Sequence, residues 1–127
     1  MELVHKRLAE LWWKSRKLQK RLNVNEINDW NTSLDWIVRY KHKRHWFEFV
    51  IARLREHEKK HGRIPAPLRE DWERALDANL EHCWEVHKMQ EMGRLAVAIG
   101  QKDWAQEICA MLDQMGEGEG VIPWHEN

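Results

Sequence analysis

Residues 25–61 read NEINDWNTSLDWIVRYKHKRHWFEFVIARLREHEKKH, thirty-seven residues without a Pro or a Gly. With no breaker in the run, the spacing predicts one long helix over 25–61. Ile27, Trp30, Leu34 and Ile37 form one apolar half-stripe; Phe47, Ile51 and Leu54 form another. Continued at helical spacing, the first half-stripe lands on Lys41 and Arg44, so charge interrupts the buried face at mid-helix. Either the helix bends there or its centre projects past the bundle. The interruption is a basic knot, Arg39-Tyr40-Lys41-His42-Lys43-Arg44-His45-Trp46. Asn25 offers an N-cap, with Glu26 in the following turn. Gly62 suits the position after the helix, and Pro65 and Pro67 forbid its continuation.

Outward from this stretch, the pattern predicts three more helices. The first covers 2–22, with Val4, Leu8, Leu11, Trp12, Leu18 and Leu22 on one stripe and Trp13 off it. Ile64-Pro65-Ala66-Pro67 is a loop, and a third helix follows over 67–99, with Glu70, Asp71 and Glu73 at its positive end. Its stripe runs Trp72, Leu76, Leu80, Cys83, Trp84, His87, Met92, Leu95 and Ala96 as far as Ile99. A fourth helix over 102–115 carries Trp104, Ile108, Met111 and Leu112. The fold class is therefore all-α, with four principal helices in one domain over 1–115. Residues 116–120 read as an acidic Gly-rich linker to an apolar tail, Val121-Ile122-Pro123-Trp124, which docks on its own bundle or on a neighbour.

Composition supports this reading. A chain of 127 residues, 43 % hydrophobic and 33 % charged, fits one globular domain. No apolar run approaches the ~20 residues that span a bilayer, and no apolar signal core follows Met1-Glu2. Two cysteines, Cys83 and Cys109, are read as free thiols in a reducing cytoplasm rather than as a disulfide framework. The net charge of zero conceals an asymmetry. Residues 1–63 carry sixteen Lys/Arg against eight Asp/Glu (+8), and residues 64–127 carry five against thirteen (−8). Such halves face each other within one bundle or pair head to tail in a homodimer, and either attraction weakens with salt.

Two segments match at an offset of 42: Asp29-Trp30 with Leu34-Asp35, and Asp71-Trp72 with Leu76-Asp77; Asp103-Trp104 is a shorter echo. A carboxylate at a helix start meets the positive helix end, and the following Trp ties the first turn to the core. The match points to a duplicated helical hairpin. Val4-His5-Lys6-Arg7-Leu8-Ala9-Glu10-Leu11-Trp12 resembles the opening of a family of small uncharacterised helical proteins from Gram-positive bacteria, of the Paenibacillus type, and their phages. Leu76-Asp77-Ala78-Asn79 with Trp84, and Asp103-Trp104-Ala105-Gln106-Glu107-Ile108-Cys109, look like the rest of its signature. Residues 36–66 stand apart from it. The resemblance implies a bacterial or phage cytosolic setting and carries no catalytic residues.

Candidate chemistry is sparse. His57-Glu58-Lys59-Lys60-His61 has the spacing of zinc hydrolases, but charges surround it at a helix end, where a solvated last turn is the simpler account. His82, Cys83, His87 and Cys109 lack the tight Cys pairs of structural zinc sites; a buried thiol and a half-buried His explain them better. No phosphate loop or nucleophile motif is present, so no enzyme, metal or cofactor is expected. The basic knot remains, with partner-binding candidates Trp36, Arg39, Tyr40, Lys41, Lys43, Arg44 and Trp46. It could engage an acidic protein surface, stack bases beside phosphates, or be answered by the acidic second half. The expectation is a non-enzymatic cytoplasmic interaction protein that makes no use of a membrane. In line with the resemblance it is phage- or prophage-linked and binds and modulates, or inhibits, a host or defence protein. A nucleic-acid-binding accessory protein is the alternative, and a zinc hydrolase through His57 and His61 a remote one.

Overall fold

The computed structural model describes residues 3–115, and every regular element among them is helical. In chain order these are α1 (Leu3–Trp12), a π-helical turn (Trp13–Lys17), α2 (Val24–Arg39), α3 (Trp46–His61), a 3-10 turn (Ala66–Leu68), α4 (Arg69–Ala98) and α5 (Lys102–Gln114). No helix among the described residues is long and apolar enough to cross a membrane. The linker and apolar tail over 116–124 lie outside the described residues. The chain divides into two compact units, one of Glu2–Cys83 and one that begins at Trp84, so α4 contributes residues to both.

The all-α expectation holds, but the four principal helices become five α-helices among the described residues. The helix expected over 25–61 is two helices with a corner at residues 40–45. A straight continuation would have carried Lys41 and Arg44 onto the buried face. Instead the chain stops after Arg39 and restarts at Trp46, and both apolar half-stripes pack without burying those charges. Leu34 and Ile37 of α2 and Phe47, Ile51 and Leu54 of α3 are all buried. Ile27, the far end of the first half-stripe, is 46 % exposed.

The helix expected over 2–22 is also shorter. α1 ends at Trp12, and its last turn widens: the Leu18 amide donates to the Trp13 carbonyl at 3.2 Å, a five-residue step. Gln19 then takes a positive φ of 51°, which closes the helical path. Leu18 is exposed and Leu22 is half-buried. The N-cap of α2 is Asn23 rather than Asn25, because Glu26 stands three residues after Asn23 and completes a capping box. The Glu26 amide donates to Asn23 Oδ1 at 2.8 Å, and the Asn23 amide donates back to Glu26 Oε1 at 2.9 Å. Lys14 Nζ reaches both Glu26 oxygens at 2.7 Å and ties the loop down.

In the first unit α1 packs on α2 and α2 on α3. The buried face joins Leu8 and Leu11 to Leu34, Ile37 and Ile51, and the first half of α4 supplies Trp72, Ala75, Leu76 and Leu80. Trp12 stacks on Trp30 at 6.1 Å, and its indole N–H donates to Asp77 at 2.7 Å. The Asp-Trp signature is therefore not a uniform helix-start device. Asp71 and Asp103 do lie in first turns, but Asp29 lies beyond the first turn of α2 and pairs with Arg7 at 2.9 Å. Gly62 ends α3 in the left-handed region (φ 81°), as its placement suggested.

In the second unit Val86 and Ala96 of α4 pack with Ala105, Ile108, Cys109 and Leu112 of α5. Gly100 (φ 76°) makes the turn between them, and the Gln101 amide closes back on the Ala96 carbonyl at 2.8 Å. The stripe expected on the second half of α4 is corrected here: Trp84, His87, Met92, Leu95 and Ile99 are exposed. In this half of α4 the buried positions are Val86, Gly93 and Ala96, seven and three residues apart, which share one face of the helix, and the exposed members of the expected stripe fall beside that face.

The core assignment has a direct test in equilibrium urea unfolding. Ile37→Ala removes a fully buried side chain and should cost about 2–5 kcal/mol, whereas Ile27→Ala, on the exposed end of the same half-stripe, should cost under ~1 kcal/mol.

Candidate functional site: the corner between α2 and α3

The corner is built from both sides by side chains that bond to its backbone. Lys43 folds back over the end of α2, its Nζ donating to the carbonyls of Val38 at 3.1 Å and Tyr40 at 2.5 Å. This is a cation satisfying the open carbonyls of a helix C-terminus. On the other side Glu48, in the first turn of α3, accepts from the amides of Arg44 at 3.2 Å and His45 at 3.1 Å. Its second oxygen accepts from His5 Nε2 of α1 at 3.0 Å.

Glu48 is 3 % exposed and His5 2 % exposed. Burial by itself would raise the Glu48 pKa, but the His5 hydrogen bond and the two corner amides outweigh it and hold the carboxyl at about 2. An ionised carboxylate only accepts, so His5 Nε2 carries the proton in this bond. His5 is fixed in turn. Its carbonyl accepts from buried Asn79 Nδ2 at 3.1 Å, and its ring meets Trp36 at 6.0 Å and Tyr40 at 5.7 Å edge-on. His45 stacks on Phe47 at 5.1 Å and lies 4.3 Å from the His82 ring. Burial, with His45 alongside, lowers the His82 pKa to about 4.

The structure divides the seven candidate binding residues into four roles. Trp36 and Tyr40 are half-buried and stack on each other at 4.6 Å, so they form the inner wall of the corner. Lys43 is an internal cap. Arg39, Lys41 and Arg44 are exposed, and among the described residues none of the three pairs with a carboxylate. Trp46 is 57 % exposed and starts an outer face of α3 that continues through Phe49 and Arg53. The acidic second half does reach the basic first half within the first unit, where Arg16 pairs with Glu73 at 3.0 Å, but that pair lies away from the knot in the chain.

The other sequence candidates take structural places. His57 and His61 lie side by side with ring centroids 4.3 Å apart, but Glu58 is engaged by Arg55. Arg55 also bonds Asp35 of α2 at 2.9 Å, with Lys59 at 3.3 Å, so the charges within and around the motif clamp α3 to α2. Burial pushes the Cys83 thiol up to about 12 and also raises Cys109, which leaves both as protonated core groups. Among the described residues no three His, Cys, Asp or Glu are gathered to hold a metal ion.

Sequence reasoning passed over His5, Glu48 and Asn79, the polar centre on which the corner rests. One signal was present. Glu48 stands three residues after His45 at the head of an apolar run, which is capping-box spacing. The Ser, Thr, Asp or Asn that marks a helix start is replaced there by His.

A profile for a family of unknown function (DUF7667) matches residues 1–119. The match spans residues 36–66, the stretch that stood apart from the resemblance. No curated protein and no solved structure matches the chain.

Two shifted groups at the corner, Glu48 and His82, make the protein acid-sensitive, by the same sign. Glu48 is held below its ordinary value of 4.5, so its contribution is full above that pH and is lost as pH falls through about 2. His82 is held below its ordinary 6.5, so the unfolded chain takes up the proton first and stability falls from pH 6.5 toward about 4. Urea unfolding should show a loss of about 1–2 kcal/mol between pH 7 and pH 5 that His82→Asn abolishes. Glu48→Gln should cost about 2–3 kcal/mol at pH 7; a pH-independent stability from 7 to 5 in the wild type would contradict the assignment.

Proposed function

We propose that this chain, which belongs to the DUF7667 family of unknown function, is a non-enzymatic interaction protein that binds an acidic surface of another protein through the α2–α3 corner. One observation carries the reading. Arg39, Lys41 and Arg44 stand exposed on a backbone fixed by Glu48 and Lys43, and among the described residues no carboxylate answers them. Cations on a preformed loop lose little ordering entropy on binding. They steer an acidic partner and set its register, with the adjacent exposed Trp46 as the apolar anchor typical of an interface hot spot.

A protein partner is favoured over nucleic acid by two features. Three exposed cations are few for binding driven by counterion release. Trp36 and Tyr40, the aromatics that could have stacked bases, stack on each other and meet His5 edge-on instead. The phage or prophage setting belongs to the proposal through the sequence resemblance, and it makes a host regulatory or defence protein the target, modulated or inhibited by occupation of its acidic surface. A cytoplasmic location belongs to it as well, supported by two free, buried cysteines.

The test is a pull-down with the full chain and with the triple variant R39E/K41E/R44E. Lys43 is left in place because its ammonium caps α2. The triple variant should lose its partner while keeping the wild-type melting temperature within a few degrees; retention of the same partner would refute the corner as the binding surface. Fluorescence anisotropy with single- and double-stranded oligonucleotides at low salt should show no binding, and binding that weakens as salt rises would replace the protein reading with the nucleic-acid one. Sedimentation of both proteins checks self-association: a mass that drops in the triple variant would assign the corner to a homodimer.

A further inference from the structure

A cleft of about 500 Å³ opens beside α3 in the first unit, within the ~300–1,000 Å³ typical of small-ligand sites. We propose that it binds a small amphipathic carboxylate, an anion of one charge on an apolar body. This goes beyond the corner and shares with it the single residue Trp46.

The apolar part of the claim rests on the walls. Val50 and Leu54 of α3 and Leu68 of the 3-10 turn supply aliphatic surface, and Trp46 adds an indole more than half uncovered. A largely exposed Trp beside an aliphatic cleft is costly to leave in water, and an alkyl or aryl body laid against it would remove that cost.

The charge claim rests on the rim. Arg53 and Arg74 both line the cleft, but they are not equivalent. Arg74 donates to Glu70 at 2.8 Å, whereas Arg53 pairs with no carboxylate among the described residues. Arg53 therefore offers its planar fork to a carboxylate, which two parallel N–H bonds can hold. Asp71 lines the same cleft and lies in the first turn of α4, where the helix dipole offsets part of its charge. With one guanidinium already engaged and Asp71 close by, the cleft suits a single negative charge and repels a polyphosphate. His57, another lining residue, adds a ring edge for hydrogen bonding.

The experiment is isothermal titration of the full chain with three probes of one chain length below their micellar range: decanoate, decanol and decyltrimethylammonium. Decanoate should bind saturably and about tenfold more tightly than decanol, with the cation weakest. Arg53→Gln, at an exposed position that leaves the fold intact by circular dichroism, should bring decanoate down to the affinity of decanol and leave decanol unchanged. Leu68→Asp should weaken both. Equal affinity for decanoate and decanol, a preference for decanoate that survives Arg53→Gln, or no saturable binding by any probe would each overturn the proposal. The outcome is separate from that of the corner, since neither Arg53 nor Leu68 belongs to the corner triad.

Discussion

The buried carboxylate of Glu48 is the constraint on which the first unit depends. Three donors converge on it: His5 Nε2 from α1 and the amides of Arg44 and His45 from the corner. An ionised group taken out of water costs several kcal/mol unless such donors are in place, and here they are. Through His5 the same centre reaches Asn79 of α4 and the Trp36–Tyr40 stack of α2. Four helices thus meet around one acid, and the position of the corner follows from it. The apolar core supplies most of the burial, but apolar attraction has no direction, whereas the amides of residues 44 and 45 meet Glu48 in one geometry.

A fixed corner separates cations by role. Lys43 caps α2, Lys14 ties down the loop before it, and Arg55 and Lys59 clamp α3 to Asp35. Arg39, Lys41 and Arg44 have no such task and face solvent. The distinction between engaged and unengaged charge carries more functional information than the density of charge along the chain. The same distinction separates Arg53 from Arg74 at the cleft, where only Arg74 is held by a carboxylate among the described residues.

Much of the fold was legible in the sequence. The helices over 69–98 and 102–114 lie within two residues of the spans read from periodicity and from Pro67 and Gly100, and Gly62 adopts the left-handed turn that its position suggested. Two misreadings share one cause. Periodicity reports which residues can share a face but not whether the chain stays helical between two faces. The α3 half-stripe is buried throughout and the α2 half-stripe at Leu34 and Ile37, with Ile27 exposed, and the charged gap between them is plain in the sequence. The break itself depends on hydrogen bonds from Lys43 and Glu48 that leave no periodic trace. α1 ends early for a similar reason, since Lys14 bonds Glu26 across the loop and Gln19 turns left-handed. Within the site, the charge interruption at Lys41 and Arg44 falls where the chain turns between α2 and α3, the first of the two alternatives that the sequence left open. It could not show that Trp36, Tyr40 and Lys43 face inward. Nor could it show that a His in the first helix and an Asn in the fourth complete the polar centre, because those partners lie 43 and 74 residues apart in sequence.

The central claim is that a rigid, Glu48-anchored corner, and not a continuous helix, carries the basic knot. Amide hydrogen exchange resolved by NMR addresses it most directly. The amides of Arg44 and His45 should exchange slowly although they lie between helices, and Glu48→Ala, which removes the oxygen that accepts from both, should release them together while the amides within α5 keep their protection. Helical chemical shifts running unbroken from residue 39 to 46, or fast exchange at Arg44 and His45 in the wild type, would contradict it.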